Sequence, residues 1–459
     1  MGRLIDNRPR LIVSLFAAFV GFAGLFTLPP LDRDEARFAQ ASAQMLESGD
    51  LVTIRFLEEE RNKKPAGIHW LQASSVALVS SPEARQIWAY RLPSLLAVIT
   101  SSLLVFLMGE LLFDRRVGLY AGLLFASAPI VAAEATIAKT DAVQLLTICL
   151  AQWAIVKTLD RDRASLKVTS LFWSALGASI LVKGPIGLLV CGLTLCAMCL
   201  KDRSFAPFTK MRPLSGMIIL TALILPWAIA INSATEGRFF ADAIGGDLLR
   251  KVGAAQETHA GPPGYHFVLL FALLWPAAAF LPRAAQIAFS ERNLKPWFFL
   301  LAWAVPAWVI FELTSTKLPH YTLPLYPAIA IGVAAAINHN SFSTRSAPRL
   351  IGIFLYAMIG LMAAAALPLL AHLYGGALTI GIIGGLLIAA GTLGVTYEFI
   401  TKKSAKLEKT VLSVSAVSAG FAWLMMQTIL PSLTDLRVSP LLAETINCLL
   451  YTSPSPRDS

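Results

Sequence analysis

Charge is what this chain has least of. Only 14% of its 459 residues are Asp, Glu, Lys or Arg, against 56% that are hydrophobic. Mean hydropathy is +0.65. Soluble domains carry about a quarter of their residues as charges, so an ordinary soluble domain is excluded. Cysteine is also sparse, at five. Cys149, Cys191, Cys196 and Cys199 sit inside apolar runs and only Cys448 lies outside one, which argues against a disulfide framework. Cys196 and Cys199 have the spacing of a metal pair, but packing within a helix is the better reading. No glycine-rich loop of the nucleotide-cradling kind is present. Nor is there an aromatic-rich basic domain for nucleic acid, or a repeat relating the two halves.

What the chain does have is a series of apolar runs, each about 17–23 residues long, separated by short polar stretches. That pattern is an all-α polytopic integral membrane protein. The formal charge of +10 fits a basic membrane face. The first run follows MGRLIDNRPR. It is long and ends in PPLDRDE without a small-residue cleavage pattern, so it reads as a retained helix.

Lys and Arg gather in cytoplasmic loops, which sets the topology. With Arg3, Arg8 and Arg10 inside, helix 1 (11–29) crosses outward and residues 31–66 lie outside. The next apolar piece, GIHWLQASSVALVSS, is short for a span and contains His69 and Gln72. If it crossed, Arg115 and Arg116 would fall outside, so it is expected to lie along the outer leaflet. Spans are then expected at 92–112, 117–133 and 142–158, at a pair around Lys183–Pro185, and at 214–232, 266–282, 297–313 and 322–337. A further pair around HLYGGA and a last span at 410–431 complete the series. The total is about 13 transmembrane helices, with the N-terminus inside and the C-terminus outside.

That topology collects the chemistry on one side. Asp34, Glu35, Arg37, Lys63, Lys64, Lys139, Asp141, Lys183, Lys317 and His320 all fall on the outer face. Ionisable groups beside spans and against the positive-inside bias are functional candidates. Each also has a plainer reading. Asp34 and Asp141 stand where helix N-caps are favoured, and Arg37 lies one turn from Asp34 as a structural partner. Lys64 belongs to a headgroup-facing charge run, and Lys183 has the position of a snorkelling lysine. Lys317, His320 and Tyr321 crowd a single turn in STKLPHYTLPLYP, which favours a substrate-facing role. His259 and His266 bracket AGPPGY, but two histidines alone do not make a metal site. Several cations with two or three carboxylates suit a phosphate-bearing lipid and a reaction that needs a base.

Six segments in order carry a family resemblance: RDEARFA, KKPAGIHWL, YRLPSLLAV, TDAVQ, LVKGPIGL and TKLPHYTLPLYPAIA. Together they resemble the polyprenyl-phosphate-sugar glycosyltransferases of the GT-C fold, of the aminoarabinose (lipid A) transferase and protein O-mannosyltransferase type. The likeness covers residues 10–447. It implies an inverting sugar transfer from a polyprenyl-phosphate carrier to lipid A or another envelope acceptor. Transfer would occur at the periplasmic face of the bacterial inner membrane, without nucleic acid. A protein acceptor is the alternative, and a lipid or sugar transporter a more distant one.

The resemblance implies Asp34 and Glu35 as the catalytic pair, Asp34 being the essential member. Arg37, Lys64, Asp141, Lys183, Lys317, His320 and Tyr321 would bind the donor phosphate or substrate. Phe38 stands where a tyrosine is common. Lys63 stands where the aminoarabinose transferase has a zinc-binding glutamate, so no metal or other cofactor is assigned. The domain organisation expected is a membrane domain over 1–432, with its first periplasmic loop at 31–81. A truncated periplasmic domain would begin over 433–447. The last twelve residues, CLLYTSPSPRDS (448–459), read as translated sequencing adapter.

Overall fold

The computed structural model describes residues 8–30, 33–243, 245, 261–338, 346–401 and 407–436. His259, the stretch from 437 to 447 and the tail 448–459 lie outside the described residues.

The chain is a bundle of helices with one small hairpin. Helix α1 (Pro9–Gly21) leads through turns to α2 (Arg33–Ser48). Strands β1 (Arg55–Phe56) and β2 (Glu59–Glu60) pair antiparallel. Gln44 holds the hairpin onto α2, its side chain bonding both the N–H and the carbonyl of Leu57 at 2.8 and 2.9 Å. Helix α3 (Gly67–Val79) follows, then α4 (Ile87–Leu112), α5 (Arg115–Ala126) and α6 (Pro129–Ala135). Asp114 caps α5 by accepting from the Arg116 and Val117 N–H groups, which satisfies donors that a helix start otherwise leaves orphaned. Next come α7 (Asp141–Val156), α8 (Leu166–Lys183), α9 (Ile186–Asp202) and α10 (Pro213–Ala234). The remaining long helices are α11 (Tyr265–Leu273), α12 (Leu281–Ser290), α13 (Lys295–Leu313), α14 (Tyr326–Asn338), α15 (Ala347–Leu373), α16 (Leu378–Thr401) and α17 (Leu407–Trp423).

Among the described residues, eight helices are long and apolar enough to cross a membrane, or nine if α5 and α6 form one broken span. Two shorter apolar helices, α1 and α7, add to these. The chain is therefore a multi-pass membrane protein. The spans differ from the sequence expectation in their breaks. The span expected at 117–133 bends by 66° between α5 and α6, where Pro129 opens a new helix and cannot donate to the old one. The one expected at 266–282 is divided into α11, a short Trp275–Ala278 turn and α12, with prolines at Pro276 and Pro282. The one expected at 322–337 opens as a tight 3-10 turn, Pro319–Leu325, before α14. Helix 1, expected to 29, stops at Gly21. Helix α3 has thirteen residues, short for a crossing of about 30 Å.

The core runs through the middle of the bundle. Helix α4 packs against α5 and α7, and α7 against α8. Most of α5, α7 and α14 is buried. Helices α10, α15 and α16 are mostly exposed along apolar faces such as Leu214, Ile218, Leu386 and Leu387. Such faces are at home in hydrocarbon and not in water.

Candidate active site

The ionisable residues singled out above stand at helix ends, and those ends are bonded to one another. Asp34 lies in the first turn of α2. Its Oδ1 is 3.5 Å from Arg37 Nη1 and 3.9 Å from Arg61 Nη2. Its side chain is 50% exposed, so a carboxylate between two guanidinium groups remains open to a ligand. Arg61 follows the hairpin and lies over the Phe38 ring at 5.4 Å. Phe38 in turn stacks on His69. Phe38 is thus a buried ring that supports Arg61.

Glu35 points the other way. It is 1% exposed and forms a two-pronged ion pair with the fully buried Arg91 of α4, at 2.8 and 3.0 Å. Arg91 also donates to the carbonyls of Leu25, Leu28 and Pro29. Glu35 Oε1 accepts from the N–H of Ala138 at 2.9 Å. One guanidinium and one carboxylate therefore join the end of α1, the start of α2, α4 and the turn between α6 and α7. Both Glu35 oxygens are thus engaged and buried, whereas the Asp34 side chain is half-exposed.

The α6–α7 turn carries Lys139 and leads to Asp141. Lys139 Nζ is 3.8 Å from Glu134, both buried. Asp141 pairs with Lys183 at the end of α8, and its Oδ1 is 3.7 Å from His320 Nε2. Lys183 Nζ also lies 6.0 Å from the centre of the Tyr321 ring. Lys183, part-buried, ends the helix at Gly184, whose φ of 79° and ψ of −148° suit only glycine. Lys317 donates to the carbonyls of Gly261 and Thr314 at 3.1 and 3.0 Å. His266 is buried, 3.2 Å from both Glu312 Oε2 and the Leu318 carbonyl.

Lys64 is half-buried three residues before Gly67. A Cβ on Gly67 would stand 2.7 Å from the Leu181 carbonyl, so α3 starts directly against the end of α8. Beneath this, His69, Ser42 and Gln72 form a buried network. The His69 Nδ1 is 2.8 Å from Ser42 Oγ, and the same hydroxyl is 2.7 Å from Gln72 Oε1. Burial, with the nearby charge of Arg61, pushes the His69 pKa down to about 3, against a bond to the Phe38 backbone that raises it.

The sequence candidates thus fall into two carboxylate-centred groups, Asp34 with Arg37 and Asp141 with Lys183 and His320, joined through Glu35 and Ala138. Cations outnumber carboxylates around them, as an anionic ligand needs. Two residues escaped sequence reasoning. Arg91 was signalled by being a lone cation within an apolar run. Arg61 was hidden in a charge run, with nothing to separate it from its neighbours. Among the described residues no group of three or more His, Cys, Asp or Glu could hold a metal ion, and His266 is engaged by Glu312 and a carbonyl.

The fold superposes on a known one. The crystal structure of ArnT from Cupriavidus metallidurans bound to undecaprenyl phosphate matches with a TM-score of 0.77 at 19% identity, over 97% of this chain and 80% of that one. The fold is GT-C. The GT-C likeness extends more loosely to the oligosaccharyltransferase of Archaeoglobus fulgidus, with a TM-score of 0.51 at 12% identity, covering 91% of this chain and 56% of that one.

By sequence, residues 63–229 match the family of dolichyl-phosphate-mannose-protein mannosyltransferases. The chain is 29% identical over 325 residues to an undecaprenyl phosphate-alpha-4-amino-4-deoxy-L-arabinose arabinosyl transferase of Pseudomonas aeruginosa, covering 68% of this chain and 58% of that protein. The same-named protein of Pectobacterium atrosepticum is 26% identical over 344 residues, covering 73% and 60%. The chain therefore spans less than two thirds of the length of these relatives.

Proposed function

We propose that the protein is an inverting glycosyltransferase. It moves a sugar from a polyprenyl-phosphate carrier to lipid A, or a related envelope acceptor, at the periplasmic face of the bacterial inner membrane. The observation that carries this reading is Asp34, a half-exposed carboxylate held between Arg37 and Arg61 on a GT-C frame.

In the reaction the bond from the anomeric carbon to the carrier phosphate breaks, and negative charge grows on the bridging oxygen. Arg37 and Lys64, with Lys183, stabilise that charge. Removing one such preorganised donor costs about 3–4 kcal/mol. Asp34 stands on the opposite side of the anomeric carbon. If the acceptor is a hydroxyl, Asp34 takes its proton as the new bond forms. If the acceptor is an already ionised phosphate, Asp34 orients it and stabilises the positive charge on the ring. Asp141 holds Lys183 and His320 in place, and Lys317 and Tyr321 line the same region. Residues 1–432 form the membrane domain that carries all of these groups.

A protein hydroxyl is the second candidate acceptor, favoured by the match of residues 63–229 to the mannosyltransferase family. Mass spectrometry of lipid A from cells with and without the gene distinguishes the two. A gain of one sugar is expected on lipid A. Asp34→Asn should lower transfer by roughly 10²–10⁴-fold while carrier binding persists. Near-normal turnover in that variant would remove Asp34 from the chemistry.

A further inference from the structure

Helix α17 and the π-helical turn beyond it, Leu424–Ile429, grip the end of α1 with two side chains four residues apart. Such turns are frequent at functional positions. The first side chain is Trp423. Its ring stacks on Phe19 with centroids 5.0 Å apart, and its Nε1 donates to the Phe19 carbonyl at 2.9 Å. That carbonyl is one of the last four of α1, which a helix leaves without internal partners. The second is Gln427, which takes hold of the chain as it leaves α1. Its Oε1 accepts from the Gly24 N–H at 2.9 Å and from the Thr27 hydroxyl at 3.2 Å. A backbone N–H can only donate, so the oxygen of the amide and not its nitrogen must face Gly24. The fit is close: a Cβ on Gly24 would stand 2.7 Å from the Met426 carbonyl.

Arg91 holds the same short segment by its carbonyls. It donates to Leu25, Leu28 and Pro29 while gripping both oxygens of Glu35. Residues 24–29 therefore lie between two side chains, Gln427 on their donors and Arg91 on their acceptors. A guanidinium carries its N–H groups in one rigid fork. If the carbonyls shift, the fork must leave them or turn against Glu35. Glu35 is the neighbour of Asp34 in the first turn of α2. From this geometry we infer that Gln427 is a positioning residue for sugar transfer. It fixes the 24–29 turn against which Arg91 and Glu35 set the place of Asp34. This rests on the reading of Asp34 given above. Both bonds end on one acceptor oxygen. A carboxylate at 427 would keep them, and a thioether of similar length would not.

The test uses the full chain in vesicles with lipid A as acceptor, and compares rates per folded molecule. Gln427→Met should lower kcat by roughly tenfold to a hundredfold, the scale on which a misplacement of about 1 Å acts. Its affinity for polyprenyl phosphate and its KM for the sugar donor should stay close to those of the unaltered chain. Gln427→Glu should restore most of kcat. Thr27→Val gives up one bond of the two and should cost less than Gln427→Met. The double variant should be no slower than Gln427→Met alone, since both changes remove the same contact. Amide hydrogen exchange over residues 24–38 should quicken in Gln427→Met and not in Gln427→Glu, with exchange over α8 unchanged. A variant that is merely less stable would exchange faster throughout and keep its kcat per folded molecule. That result overturns the inference, as does a Gln427→Glu variant no faster than Gln427→Met. If Asp34→Asn loses transfer while Gln427→Met does not, this inference falls alone. If Asp34→Asn turns over normally, the reading of Asp34 falls and takes this inference with it.

Discussion

Asp34 and Glu35 are neighbours with opposite surroundings, because a helix turns successive residues by roughly 100°. One faces the open end of the bundle; the other is sealed against Arg91. Removing one partner of such a buried pair strands the other charge, which costs about 3–5 kcal/mol. Glu35→Ala should therefore lower the thermal unfolding midpoint in detergent sharply, whereas Asp34→Asn should leave it nearly unchanged. Equal midpoints for the two variants would contradict the division of roles. His69 makes a second residue-scale case. Its folded pKa of about 3 lies below the usual 6.5. Above pH 6.5 both folded and unfolded forms are neutral and stability is intact. As pH falls from 6.5 toward 3, the unfolded chain takes up a proton that the folded one refuses. Stability should drop by up to about 1.4 kcal/mol per pH unit there. His69→Gln should flatten that part of the unfolding profile. At this scale family resemblance points to Asp34, but nothing in the sequence marks the partner of Glu35. The two members of that pair stand 56 positions apart, and nothing local marks them as facing each other.

Among the elements, ends were easier to place than breaks. Lys183, Gly184 and Pro185 marked the turn between α8 and α9, and the structure puts the turn there. The end of helix 1 was misjudged by eight residues. Its cause lies far away: the N–H of Gly24 donates at 2.9 Å to the side chain of Gln427, within the π-helical turn of Leu424–Ile429 that follows α17. Gly24 has a φ of 77°, which ends a helix. No window along the chain contains that contact. Helix α3 shows how little room the elements leave. Gly67→Ala would drive a methyl group into the Leu181 carbonyl, so α3 should shift away from α8. Donor KM should rise several-fold, with a smaller loss of stability than for Glu35→Ala. An unchanged KM would mean that Lys64 and Lys183 do not act on the same ligand.

Across the whole molecule, residues that the charge pattern expects on one face stand at helix ends bonded to one another. Among the described residues, length and hydropathy find eight or nine long spans against the thirteen expected, since α1 and α7 are short and the 265–290 region is broken by proline. Yet the paired residues converge wherever the helices end, since a charge is cheap only near water or beside a partner. The junction at Arg91 has a further meaning for how the protein comes into being. Residues 35, 91 and 138 leave the ribosome in that order, so the first loop must wait. Helix α2 has no fixed seat until α4 has been inserted and the α6–α7 turn has followed. Nascent chains halted before residue 138 should be cut readily by trypsin at Arg55 and Arg61. Chains halted well beyond it should resist. The first loop, though written near the chain's beginning, would take its seat only after these later helices are in place.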